Sequence, residues 1–361
     1  MFMVLDFFNT DKEYYSGFES FCYQNCLRLV LEANNIPNAL LYINSSLGLI
    51  IDIKPNEGEF VFSQPKNARN LLPVFSDNVK RYYCNTDDDV IEIFAQNIKR
   101  IEEQFSPIIV GVDVFYLPYT PYYQKNHAKH TLVLCGYSEV NDLVYIVDWY
   151  EPWFFKGTIP LQDFFLARNS DCPNDGSIYS GSQILNNWAE IDITQWCKTS
   201  VEDLLIMTFK LTLDQYFCAE GKDTGLNALN NLVDNIEAVS YSLCESVLKV
   251  FKDLHGKMYI ALKRHKLFRQ YIEIAQSYIS NDSLSELILL LDNIIDRWDT
   301  ILALFLKASF VNSNKTRNKI IINMKTVIGE ETQLGNKILK LYNEFVITQL
   351  SQLKSPNKPL I

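Results

Sequence analysis

Proline is absent from the 182 consecutive residues between 174 and 355, although ten of the chain's 12 prolines fall at or before Pro173. A proline inside a helix costs about 3 kcal/mol, so this gap leaves the C-terminal half free to be helical. Cationic side chains are also scarce. Against 43 Asp and Glu there are 33 Lys and Arg, a formal charge of −10, which is the wrong sign for coating phosphate backbones. Long uncharged apolar runs are missing as well. The best, Leu284 to Ile295, is interrupted by Ser285, Glu286 and Asp292 and falls short of the roughly 20 residues that span a bilayer. The opening MFMVLDFFNTDKEYY has no basic start and no small-residue cleavage site, so it does not read as a secretory signal. A cytoplasmic protein with no nucleic-acid or membrane partner is expected. Cysteine is sparse too, eight in 361 residues without framework spacing, which excludes a disulfide scaffold and predicts reduced thiols.

What is present is an ordinary folding composition, 48% hydrophobic and 21% charged. Short β-rich runs (Leu49 to Ile53, Glu59 to Phe62, Ile108 to Phe115, Thr131 to Tyr137, Leu143 to Val147) alternate with helical stretches near 20–34, 86–104 and 160–168. They predict an α+β domain over residues 1–200. Beyond it, Leu229, Leu232, Ile236, Val239, Leu243, Val247 and Val250 keep a helical period, as do Leu287, Leu291, Ile294, Trp298, Ile301 and Phe305. Residues 201–361 are therefore expected to form an all-α bundle of four or five helices. Ser283 with Glu286 reads as a capping box, and Gly221, Gly225, Gly256, Gly329 and Gly335 as punctuation between helices. Asn312 to Thr316 reads as a polar break, and the tail after Lys354 as frayed. Charge divides along the same line: the first 212 residues carry −12 and the remainder +2. The densest basic stretch, Lys263, Arg264, His265, Lys266 and Arg269, is either a solvated helix face or a dock for an acidic partner.

Chemistry concentrates at Cys22. In ESFCYQNCLRLVLEANNIP the apolar stripe of Leu27, Val30 and Leu31 marks a helix, Asn34 and Asn35 close it, and Ser20 is placed to cap it. A thiol in that first turn meets unpaired backbone N–H groups and the positive end of the helix dipole, which favour thiolate. Cys26, one turn on, reads as core. Of four histidines, His130 opens the strand Thr131 to Tyr137, and a second strand returns to end at Asp148. In such a hairpin imidazole and carboxylate share the open end, as a cysteine nucleophile with base and orienting acid requires. His127 competes from a polar loop, while His255 and His265 read as surface residues. A zinc site from Cys22, Cys26, His127 and His130 is the rival reading, disfavoured because paired cysteines inside an apolar helix make a poor metal knuckle; no metal is expected. Asp113, an acid in the apolar strand IIVGVDVF, is either held by a nearby loop or binds an amine substrate.

CYQNCLRLVL, followed by VGVDVFYLPY (Val110 to Tyr119), HTLVLCGYS (His130 to Ser138) and VYIVD (Val144 to Asp148), resembles two related groups. One is the papain-like peptidases that cleave double-glycine leader peptides. The closer similarity is to the N-terminal domain of the butirosin-biosynthesis H acyltransferase family. The resemblance covers roughly residues 18–170, and a helical C-terminal domain is also that family's habit. It implies a papain-like fold in which Cys22 is the nucleophile, His130 the base and Asp148 the orienting acid. It also implies an activity: an acyl group leaves a carrier-protein thioester, rests on Cys22 and passes to an amine in antibiotic-type biosynthesis. No resident cofactor is expected, since 4′-phosphopantetheine would arrive on an acyl or peptidyl carrier protein.

Two departures qualify the transfer of roles. The papain-like oxyanion-hole glutamine has no counterpart, because Ser16 stands there and Gln24 follows the cysteine; the Cys22 backbone N–H is the other donor available. Asp148 is followed by Trp149, Tyr150, Glu151 and Pro152, an aromatic wall that would hold an acyl chain or close the core. Three functions remain open at this point: an acyltransferase, a peptidase or thioesterase with the same residues, and a catalytically silent papain-like binding module. A homodimer is compatible with each.

Overall fold

A computed structural model describes residues 3–4, 21–54, 59–63, 65, 68–84, 89–149, 155–177, 179–194, 196, 198–240, 245–311 and 313–353. In chain order its elements are β1 (Met3–Val4), α1 (Cys22–Ala33), β2 (Ile50–Lys54), β3 (Glu59–Ser63), β4 (Val79–Tyr82), α2 (Val90–Gln104), β5 (Ile108–Asp113), β6 (Lys129–Ser138), β7 (Leu143–Asp148), β8 (Phe155–Pro160), α3 (Leu161–Arg168) and β9 (Trp188–Ile191). Five helices follow: α4 (Val201–Thr212), α5 (Gly225–Ser240), α6 (Glu245–Gln276), α7 (Asp282–Phe310) and α8 (Asn314–Leu353). The protein is thus an α+β unit followed by a helical one, as the composition predicts. Its two compact units are Met1–Ile43 with Arg69–Lys198, and Asn44–Ala68 with Thr199–Ile361.

The first unit is built on an antiparallel sheet in the order β4-β9-β5-β6-β7-β8, with β1 added beside β6. Even-numbered positions of β5 and β6, Ile108, Val110, Val112, Leu132 and Leu134, bury one face against Ile93 and Phe94 of α2 and Phe164 of α3. Alternation turns Thr131 to the opposite face, where α1 packs and Cys26 Sγ lies 3.4 Å from the Thr131 carbonyl. The long central strand β6 therefore carries a helix-bound face on each side. Its junction with β7 contains a register shift between Leu134 and Gly136.

The second unit corrects the boundary expected at residue 200. Residues 44–68 belong with the helices, because the exposed backbone of β2 finds its partners there. Ile51 N donates to Asp223 O (2.8 Å), Gly225 N to Leu49 O (2.7 Å) and Leu47 N to Thr212 Oγ1 (3.2 Å). Among the helices, the predicted α7 stripe of Leu287, Leu291, Ile294, Trp298, Ile301 and Phe305 is wholly buried. The run from Leu229 to Val250 is divided between α5 and α6, and residues 241–244 lie outside the described residues. The cap of α7 is Asn281, whose side chain accepts from Ser283 N at 2.9 Å; Ser283 and Glu286 form no box. Gly221 precedes α5 and Gly225 opens it, but Gly256 lies inside α6, and Gly329 and Gly335 lie inside α8. At Gly335 a Cβ would stand 2.6 Å from the Phe217 ring, so close packing between helical segments, not a helix end, explains that glycine. The polar break appears between Phe310 and Asn314; Asn312 and the tail after Lys354 lie outside the described residues.

The basic run is no free surface. Arg264 and His265 are 2% and 1% exposed. Arg264 Nη1 donates to the Ala68 carbonyl (2.8 Å), His265 faces Glu331 at 2.7 Å, and Arg269 pairs with Asp292 and Glu273. Successive charges at helical spacing fall on different faces, and two of these face inward. His265 is accordingly a core residue, contrary to expectation, and His255 is half-buried with Nδ1 3.0 Å from the Leu302 carbonyl.

Candidate active site

Cys22 is the first helical residue of α1. The cap is Phe21, extended and with no side-chain cap bond, and the first turn closes from Asn25 N to Phe21 O at 3.1 Å. The N–H groups of Cys22, Tyr23 and Gln24 precede the helix's first hydrogen bond and surround its positive end. Ser20, the expected cap, and Ser16 lie outside the described residues.

His130 and Asp148 meet through strand register. Val133 pairs with Val147, so β7 ends at Asp148 beside the start of β6, where His130 stands. His130 Nε2 lies 2.9 Å from Asp148 Oδ2 and 3.0 Å from Oδ1. That leaves Nδ1 for the Cys22 thiol, to which His130 is hydrogen-bonded. Burial alone pushes the thiol up, but the hydrogen bond and charge of His130, joined by hydrogen bonds from Thr131, bring it down to about 7. Burial likewise opposes a charged imidazole, yet the charge and hydrogen bond of Asp148, followed by those of the thiol, raise His130 to about 10. Between these values the pair is thiolate and imidazolium. Cys26 behaves oppositely: burial, then the negative charges of Cys22 and Asp148, push it well up, in keeping with a core thiol.

Two residues that the sequence reading missed hold this arrangement. The Tyr119 hydroxyl donates to Asp148 Oδ2 at 2.8 Å, and its ring stacks on Phe155 at 4.0 Å. Asn25, on α1 one turn beyond Cys22, donates through Nδ2 to the Trp149 carbonyl at 2.7 Å and so ties the end of β7 to the cysteine helix. Tyr119 closes the motif Val110 to Tyr119, which was the only signal available; nothing in the sequence marks Asn25.

Cys22, His130 and Thr131 open on a cavity of about 920 Å³ with aromatic walls that include Trp188, stacked on Tyr82 at 3.8 Å. Gln24, Asp113 and Trp149 do not line it. Gln24 is wholly buried. Asp113 is also wholly buried and is saturated by protein donors: Phe115 N and Ala128 N on Oδ1 (both 3.1 Å), Ser170 Oγ (2.6 Å) and His127 Nδ1 (2.7 Å) on Oδ2. That fixes it as the anchor of its loop and removes it as a substrate ligand. His127 is therefore engaged away from His130, and the zinc set does not converge. Tyr150, Glu151 and Pro152, the rest of the expected aromatic wall, lie outside the described residues.

Residues 21–149 match the family described as butirosin biosynthesis protein H, N-terminal, which supports a protein of that type. The matched segment begins one residue before Cys22, ends one residue after Asp148 and contains His130. No curated protein matches the chain. No helix among the described residues is long and apolar enough to cross a membrane.

Proposed function

From the match of residues 21–149 to the butirosin biosynthesis H N-terminal family, we propose that this chain is a cysteine-dependent acyltransferase of antibiotic-type biosynthesis. The observation that carries the reading is a thiol brought down to about 7 by a histidine whose other nitrogen is held by a buried carboxylate, at the wall of a cavity.

In the first half-reaction the Cys22 thiolate attacks the carbonyl carbon of an acyl thioester. The new carbon–sulfur bond forms, the donor's carbon–sulfur bond breaks, and the leaving thiolate takes the proton of imidazolium His130. In the second, a neutral amine attacks the Cys22 acyl-enzyme. His130 accepts the amine proton, the amide forms, and Cys22 departs as thiolate beside a restored imidazolium. Asp148 orients the ring throughout. The Cys22 N–H, at the open end of α1, is the candidate oxyanion donor. The donor thiol would be 4′-phosphopantetheine on a carrier protein, so no resident cofactor is required.

Incubation of the protein with an acyl thioester and an amine tests this. Amide formation is expected, and Cys22→Ala should reduce it by about 10³-fold or more. Retention of full transfer by Cys22→Ala would refute the reading. Thioester hydrolysis is the competing outcome. The ratio of amide to free acid across amine concentrations separates transferase from thioesterase.

A further inference from the structure

The Cys22 cavity has a charge at odds with the sequence around it. Although the first 212 residues carry −12, the described residues lining this cavity include Arg69, Arg81 and Lys129 and no Asp or Glu. Each cation is placed by a neighbour of the reacting groups. The Arg69 guanidinium lies over the Phe21 ring at 4.3 Å, and that of Arg81 over the Tyr23 ring at 4.8 Å, with Arg81 Nε 3.1 Å from the Tyr23 hydroxyl. Phe21 and Tyr23 flank Cys22 in the chain. Lys129 precedes His130, and its ammonium rests on the Gln183 carbonyl at 3.2 Å. All three cationic residues are exposed. The second large cavity of the same unit, about 1170 Å³, is the reverse, lined by Asp142 and Asp171 without Lys or Arg among its described residues. A third cavity, about 700 Å³, shares Arg81 but sets Arg81, Lys99 and Arg100 against Asp89, Glu92 and Glu103, so among these three cavities a cationic lining without acids belongs to the Cys22 cavity.

These cations do not account for the thiolate, whose stabilisation comes from His130 and Thr131. They suit a ligand. The phosphate of a pantetheine arm is a poor fit, because the length of that arm holds it far from the sulfur, whereas these groups crowd the residues next to Cys22. We infer that the acceptor entering this cavity is an amine that also bears a carboxylate, of the amino-acid class, and that Arg69, Arg81 and Lys129 select it over polycationic amines. A carboxylate meets planar guanidinium donors matched to its geometry. The surrounding positive charge also disfavours the ammonium form and so releases the neutral, nucleophilic amine. A polycation would instead bring like charge into the cavity.

The acceptor assignment rests on the acyl-transfer reading, but the charge selection does not, and the experiment separates them. The first arm follows Cys22, by peptide mapping, in its reaction with anionic sulfonatoethyl and cationic trimethylammonioethyl methanethiosulfonate, each rate divided by that for free mercaptoethanol. The normalised ratio should favour the anion by about tenfold or more at low salt. It should fall toward unity in Arg69→Gln with Arg81→Gln, while Arg81→Lys preserves it. The second arm compares β-alanine, aminopropanol and diaminopropane as acyl acceptors. The expected order is β-alanine first and diaminopropane last, compressed in the Gln variant. Equal normalised rates, a ratio unmoved in the Gln variant, or preference for diaminopropane would each overturn the inference. If the reagents discriminate but no amine is acylated, the transfer reading falls and takes the acceptor with it. If all amines are acylated without preference, transfer stands and the selection fails.

Discussion

At the scale of single residues, the reactivity of Cys22 depends on His130, which it touches, and on groups behind His130, which it does not. The thiolate is kept by imidazolium His130, and the imidazolium by Asp148, which is 2% exposed. A carboxylate so buried needs partners of its own, and Tyr119 is one, at 2.8 Å. Tyr119→Phe removes that donor and keeps the ring stacked on Phe155. Its expected cost is about 1 kcal/mol in chemical denaturation, the worth of one buried hydrogen bond. Alkylation of Cys22 at neutral pH should change by less than about tenfold, because both Asp148 oxygens stay within 3.0 Å of His130 Nε2. A larger kinetic effect would mean that Tyr119 sets the position of Asp148 and does more than satisfy it.

At the scale of elements, Arg168 at the end of α3 braces the cavity wall. It is 2% exposed, and burial holds its guanidinium down to about 9. Nη1 donates to the carbonyls of Gly111 (3.2 Å) and Asn187 (2.6 Å), and Nη2 to the Asn186 carbonyl (2.6 Å) and Asn97 Oδ1 (3.3 Å). Gly111 and Asn187 both line the Cys22 cavity. Arg168→Ala strands these buried acceptors, and thermal unfolding should show a loss of about 3 kcal/mol. An unchanged melting temperature would count against the brace. The elements that bear Cys22, His130 and Asp148 were legible in the sequence because each ends at a recognisable signal: a cysteine before an apolar helical stripe, and a histidine and an aspartate at the ends of two β-rich runs. β9 was not legible. Its Glu190 breaks the apolar pattern, yet in the fold it is 1% exposed and paired with Arg100 at 2.8 Å and Tyr82 at 2.8 Å. The cations around Cys22 were equally hidden, since Arg69 and Arg81 reach it only through rings brought together by the fold. Asp113 was open to two readings in the sequence, a loop anchor or an amine ligand, and four protein donors select the first.

At the scale of the whole molecule, the chain does not divide into consecutive halves. Leu47, Leu49 and Ile51 are buried within the unit that contains the helices, and the backbone of their hairpin is hydrogen-bonded to residues 212–225. A fragment of residues 199–361 lacks this segment and exposes the apolar positions it covered. It is expected to bind a hydrophobic dye and to melt below the full-length protein. A fragment that melts cooperatively at the full-length temperature would show the hairpin to be dispensable.

The central claim is that Cys22 and His130 form a thiolate and imidazolium between about pH 7 and about pH 10. The most direct measurement is the rate of iodoacetamide alkylation of Cys22 against pH, resolved by peptide mapping, in the parent protein and in His130→Ala. With the thiol lowered to about 7, the rate should fall as pH drops through about 7 and be near its plateau by about 8. In His130→Ala the lowering partner is gone while burial remains, so the limb should move above the ordinary thiol value of about 8.5. A parent profile that titrates at the ordinary thiol value, or one that His130→Ala leaves in place, would contradict the account.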